Sequence, residues 1–281
     1  MTSSTQDHFY KNTVLAFTVL IMYLSAGLWL MFGAIHKSAS SHGKHVAGLA
    51  LAAIGWFAHG YALCESVFRG PALALSATDT ASIIGWAIAT IAILVAFRRT
   101  RFDLISGCLL VAVGIAAAVT NDSSRDYALS QHGWQLLTHV LLSVIAYSLI
   151  AIGAVLAIAL SLLDRRLRSH RPLGLLSALP SIEAIESGMF QALVAGFVLL
   201  SFALFSGFIF VENLFSQHLI HKVVLSCVAW LILAVLFFGR WRYGWRGQKA
   251  AKWAISGFTL LCLAYFGAKI VLEVFLNRHW G

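Results

Sequence analysis

Residues 134–171 read WQLLTHVLLSVIAYSLIAIGAVLAIALSLLDRRLRSHR. From Trp134 to Leu163 there is no Asp, Glu, Lys or Arg, and then Arg165, Arg166, Arg168 and Arg171 follow within a few positions. A hydrocarbon core ~30 Å thick takes about 20 apolar residues to cross at ~1.5 Å rise each, so this run is long enough to span a bilayer and ends in a basic stop. Its apolar residues are continuous, not alternating with period two, so it reads as a helix and not as a barrel strand. Comparable runs lie on both sides of it. Spans are expected near 13–35, 46–67, 79–97, 103–120, 134–162, 188–212, 220–239 and 252–276. The expected fold is all-α: a polytopic transmembrane bundle of about eight helices, forming a single membrane domain over 1–281.

Composition agrees. The chain is 60% hydrophobic and 11% charged, whereas soluble domains average about 25% charged residues. The longest polar connection, Asp164 to Ser187, is too short to build a core of its own. The first apolar run is longer than a typical signal-peptide core, and it is expected to stay as the first helix. Within the long connection, LPSIEAIES (Leu179–Ser187) reads as a short interfacial helix near 179–187, with Pro180 in its first turn and Glu183 and Glu186 near the positive end of its dipole.

A net charge of +9 would suggest nucleic acid for a soluble protein. In a membrane protein the distribution of Lys and Arg decides, and no nucleic-acid partner is expected. Alternate connections place Lys37, Lys44, the Arg98–Arg101 turn, the Arg165–Arg171 cluster and the Arg240–Lys252 stretch on one side. The other side holds Lys11, Arg69, Arg125, Lys222 and Arg278. The positive-inside rule puts the first group in the cytoplasm, so the chain is expected N-out and C-out in a bacterial inner membrane, with membrane lipids as partners. Cys64, Cys108, Cys227 and Cys262 fall on different expected helices without a CxxC, and are expected to be small buried core residues.

With this topology most of the histidines gather outside or in the outer half of the membrane: His8, His59, His132, His139, His218, His221 and His279. His59 lies well inside a span, where an ionisable residue marks either a function or a hydrogen-bonded core position. His139 sits about one turn inside the outer end of its helix, as a ligand or as an interfacial histidine. His218 and His221, three apart, share a face if helical, and read as metal ligands or as a polar helix entry. Lys269 and Glu273, four apart, either pair with each other or leave Lys269 to hold a carboxylate. Glu65, Arg69 and Lys222 could ring the same mouth. Imidazoles and cations in a bundle that is 12% aromatic suit a flat macrocycle whose iron needs axial nitrogens and whose two carboxylates need cations. Zn or Cu fits the same donors, although no HExxH or HxxxH supports a hydrolytic metal site.

Four pieces in order, HVLLSVIAYSLIAIGAVLAIAL from His139, LPSIEAIES from Leu179, AGFVLLSFALFSG ending at Gly207 and GWRGQKAAKW from Gly244, resemble the cytochrome c assembly membrane proteins of the CcsA/CcmC type. The first half agrees more loosely, through His59 and the Trp86 segment. The resemblance implies that His139 is an extracytoplasmic haem ligand. The family's ligase members carry a Trp-rich loop, WGxxWxWD, between the pieces matching Gly207 and Gly244. Here that stretch reads FIFVENLFSQHLIHKVVLS, residues 208–226, without tryptophan. His279 does not stand in register with the family's second external histidine. These departures resemble the YpjD-like and HemX-like subgroup, which shares the scaffold without the full ligase apparatus.

The expectation is therefore a cytochrome c assembly-like protein that binds or handles haem at its outer face. Its iron-ligand candidates are His139, His59, His221 and His218, Lys222 and Lys269 are candidates for the carboxylates, and haem b is the candidate cofactor. It is expected to bind or transfer, not to act as an enzyme, with haem and another membrane or haem-pathway protein as partners. The alternatives are a scaffold or regulatory membrane protein without haem, and a small-molecule or ion transporter.

Overall fold

A computed structural model describes the backbone of residues 3–36, 41–67, 77–119, 133–170, 172–210 and 220–270, and side chains over 13–36, 43–67, 78–118, 137–170, 172–209 and 222–265. Among the described residues eight α-helices follow in order: α1 (Ser3–Ile35), α2 (Ser41–Val67), α3 (Ala77–Arg98), α4 (Asp103–Val119), α5 (Gly133–Arg168), α6 (Ile182–Phe210), α7 (Ile220–Tyr243) and α8 (Gly247–Ile270). A 3-10 turn at Thr100–Phe102 joins α3 to α4, and another at Gly174–Ala178 precedes α6. No strand occurs among the described residues.

Seven of these helices are long and apolar enough to cross a membrane, α1 through α7. The span expected at 252–276 belongs to α8, and its last residues lie outside the described ones. Large apolar side chains such as Phe17, Trp29, Phe57, Phe97, Phe202 and Phe205 face outward. In water that surface would aggregate; against lipid tails it needs no covering. The chain is a multi-pass membrane protein with an all-α fold.

The chain divides into two compact units, Met1–Trp134 with Leu173–Pro180, and Gln135–Pro172 with Ser181–Gly281. In the first unit, Val19, Tyr23, Ala26 and Leu30 of α1 recur on one face and are all buried, as a spacing of three and four dictates. They meet α4 where both helices carry glycine. A Cβ on Gly27 would fall 2.6 Å from the Gly107 carbonyl oxygen, and one on Gly107 2.7 Å from the Gly27 oxygen. Without hydrophobic drive between helices in lipid, such backbone approach holds a bundle together. The indoles of Trp56 (α2) and Trp86 (α3) stack at 4.8 Å. Trp86 Nε1–H donates to the Trp56 carbonyl at 3.1 Å and Trp56 Nε1–H to Thr90 Oγ1 at 2.7 Å, so both are satisfied.

The second unit repeats the device. Gly153 of α5 receives Leu193 of α6, and Gly196 of α6 receives Ile150 of α5. Trp230 of α7 donates to Ser201 Oγ of α6 at 2.8 Å, and Gly257 of α8 lies against Leu233 of α7.

Some expectations shift. No separate helix covers 179–187: Leu179 is extended, the Ser181 hydroxyl accepts from the Ala184 N–H at 3.4 Å, and α6 runs unbroken from Ile182. Pro180 and a serine cap start a helix there, and nothing interrupts it before the membrane. Helix α5 continues past 162 to Arg168, where Arg168 Nε–H donates to Asp164 at 3.0 Å and basic residues suit a helix C-terminus. Cys64 and Cys108 are exposed on their helices, and Cys227 and Cys262 only half-buried, so the thiols are not core residues. On a lipid-facing surface a weakly polar thiol costs little.

Candidate functional site

His139 lies on the first described turns of α5 and is half-buried against α6. Its Nδ1 is 2.9 Å from the Ala203 carbonyl oxygen and 3.0 Å from Ser206 Oγ. A carbonyl oxygen only accepts, so Nδ1 carries the proton and donates it. Ser206 donates its own hydroxyl to the same carbonyl at 2.9 Å. The tautomer is thereby set, and the lone pair sits on Nε2, which makes no hydrogen bond among the described residues. Gly207 makes room for the ring: a Cβ there would fall 3.0 Å from His139 Cε1. A histidine that ligates a metal nearly always donates its other N–H to a carbonyl or carboxylate, and His139 has that form. The donor set fits a haem iron at Nε2.

His59 is placed differently. It belongs to the first unit, is 2% exposed, and shares a 2.8 Å hydrogen bond between Nε2 and Ser82 Oγ of α3. Its ring meets Tyr23 edge-on at 5.8 Å. Its Nδ1 and the Tyr23 hydroxyl are buried with no hydrogen-bond partner. Both nitrogens of His59 are thus enclosed.

Lys222 opens the described side chains of α7, half-buried, with Nζ 6.0 Å from the centroid of the Tyr265 ring on α8. Tyr265 in turn meets Tyr147 of α5 at 6.0 Å. His221 and Lys269 lie within α7 and α8, but their side chains, like all of His218, Arg69 and Glu273, lie outside the described residues. The structure therefore brings Lys222 and two tyrosines together and does not address the histidine pair. Among the described residues no three His, Cys, Asp or Glu side chains gather as a metal site.

Sequence reasoning missed a second cluster at the opposite end of the second unit. Glu186 is 4% exposed, and its Oε1 accepts from Arg240 Nη1 and Arg246 Nε, both at 2.9 Å. Arg240 also lies 3.8 Å over the Phe190 ring, and Lys249 3.9 Å over Trp245. Gly244 and Gly247, at φ +64° and +55°, let the chain turn between α7 and α8 and bring Arg246 back to the carboxylate. The signal was present in two quoted pieces, LPSIEAIES with its Glu and GWRGQKAAKW with its Arg, but only the fold joins them.

Comparison with known proteins adds the following. The family model described as "Cytochrome C assembly protein" matches residues 14–276. "Inner membrane protein YpjD" of Escherichia coli K12 is 32% identical over 206 residues, covering 71% of this chain and 76% of that protein. "Cytochrome c biogenesis protein CcsA" of Prochlorococcus marinus NATL2A is 22% identical over 298 residues, covering 91% of this chain and 90% of its own length. CcsA of Chlamydomonas reinhardtii is 24% identical over 145 residues, 51% of this chain and 40% of that protein. No solved structure matches. The chain belongs to the cytochrome c assembly protein family, with a role of the cytochrome c biogenesis type.

Proposed function

We propose that this chain holds haem at the His139 end of its second unit and passes it on, in the inner membrane, as a binding or transfer protein without covalent chemistry of its own. The inner-membrane assignment follows the name of its YpjD relative. The observation that carries the haem reading is the hydrogen bond from His139 Nδ1 to the Ala203 carbonyl, 2.9 Å long, which leaves Nε2 as a fixed donor nitrogen.

Each residue has a task the fold prepares. Ala203 and Ser206 keep the proton on Nδ1, so Nε2 presents a lone pair at any pH where the ring is neutral. Gly207 leaves the ring unobstructed. Lys222, and Lys269 by its sequence position, supply positive charge for carboxylates. A bound haem would supply an iron that takes axial nitrogen and two propionates that take cations. His218 and His221 remain the candidates for a second axial nitrogen.

The test is the absorption spectrum of gently purified protein from haem-replete cells. Wild type is expected to show a Soret band that His139→Ala lowers strongly and His170→Ala, on a cytoplasmic loop, leaves in place. Wild type without any Soret band would overturn the haem reading and favour a scaffold that acts through a partner.

A further inference from the structure

The second unit distributes its charges unevenly. Its described carboxylates are Asp164, Glu183 and Glu186. Asp164 pairs with Arg168 and Glu186 with Arg240 and Arg246. At the other end stands Lys222, half-buried at the start of α7, with no carboxylate beside it among the described residues. An ammonium withdrawn from water at a membrane edge is costly until an anion meets it.

Its surroundings are those of a receptor. Tyr265 presents its ring to the ammonium from α8 at 6.0 Å, near the outer limit for a cation–π contact. Tyr147 crosses from α5 to meet the Tyr265 ring at 64°. Its hydroxyl reaches the Leu261 carbonyl at a long 3.4 Å, a weak bond that a better acceptor would readily replace. Ser226, one turn beyond Lys222 on the same helix, lies beside that hydroxyl. Contacts thus run from Lys222 on α7 to the Tyr265 ring on α8, from Tyr265 to the Tyr147 ring on α5, and from the Tyr147 hydroxyl back to Ser226 on α7, and α5 carries His139 two turns nearer its start.

We propose that Lys222, Tyr147, Tyr265 and Ser226 form a carboxylate subsite that receives a propionate of the haem held at His139. This rests on the haem reading above. Charge alone nominated Lys222 in the sequence; the tyrosines and the serine are added by the fold. The subsite makes the protein choose the free dicarboxylic acid over a neutral porphyrin of the same size. A lipid phosphate is the other anion within reach of such a site, and it would give no such choice.

The experiment titrates intact purified protein in a neutral detergent with ferric haem and, separately, with its dimethyl ester, following the Soret band. Wild type is expected to bind the free acid about tenfold tighter or more, the size of a lost charge-assisted contact. Lys222→Gln should erase that preference and Lys222→Arg should keep it. Tyr147→Phe and Tyr265→Phe should each reduce it several-fold. Equal binding of acid and ester by wild type, or a preference that survives Lys222→Gln, overturns the subsite and leaves the haem reading standing. Equal binding that becomes weaker when phosphatidylglycerol replaces phosphatidylcholine in the added lipid also overturns it, and assigns Lys222 to a headgroup. Binding of neither compound overturns both proposals.

Discussion

His59 and His139 are both histidines inside membrane spans, and they are built in opposite ways. His59 is sealed at 2% exposure, with Nε2 on Ser82 and an unpartnered Nδ1 enclosed beside Tyr23. His139 is half-buried, with Nδ1 anchored on the Ala203 carbonyl and Nε2 unengaged. Depth in the membrane therefore does not rank the two as ligands. What matters is whether one nitrogen is fixed by a strong acceptor while the other stays reachable, and His139 alone meets both conditions. His59, with Tyr23, has the character of a packed core group whose removal leaves a cavity.

The comparison can be broken by experiment, most sharply at the histidines. His139→Ala is expected to lower the haem-to-protein ratio at least about tenfold, the usual scale of an axial ligand's loss being larger than that of its supporting bonds. His59→Ala should instead lower the thermal stability of the purified protein, with less than a twofold change in haem. Equal loss of haem in the two variants would end the contrast.

The glycines beside the rings give the next largest effect. Gly207→Val puts methyl groups where even a Cβ falls 3.0 Å from His139 Cε1, and is expected to cut haem content several-fold. Gly85→Ala places its Cβ 3.9 Å from His59 Cε1, an ordinary contact, and should change nothing measurable. Haem content read from the pyridine haemochrome checks both.

A smaller effect is expected at Ser206. Removing its hydroxyl leaves the His139 bond to the Ala203 carbonyl intact, so Ser206→Ala should weaken haem affinity by about two- to tenfold, the worth of one neutral hydrogen bond. The smallest effect on haem belongs to the other end of the unit. Glu186→Gln takes the charge from a carboxylate clasped by two half-exposed or exposed guanidiniums, and should lower stability by about 1–2 kcal/mol while the haem spectrum stays unchanged. Thermal unfolding followed beside absorbance separates the two readouts.

How far the sequence reached follows from which signals are local. Apolar run length located the helices, because a bilayer sets one length for all of them, and it failed only at ends such as 162, where Asp164 and Arg168 extend α5 by an internal pair. It also separated an interfacial helix at 179–187, where Leu179 is extended and α6 already begins at Ile182, because glutamates near a helix start look solvated until a partner is known. Arg240 and Arg246, which bury Glu186, lie 54 and 60 residues away. His139 was legible through the family pieces. Its anchor was not, since the Ala203 carbonyl is backbone and has no sequence signature. Tyr147 and Tyr265 carry no sequence signal beyond the general aromatic content, and only the fold sets Tyr265 against Lys222 and Tyr147 against Tyr265.

The claim that His139 presents Nε2 to haem iron is tested most directly by replacing the side chain with a free one. His139→Gly should lose the spectrum of the wild-type haem complex, and added imidazole should restore it, because Ala203 and Ser206 still offer the acceptors that held the original ring. A His139→Gly protein whose haem spectrum matches wild type without imidazole would contradict the assignment.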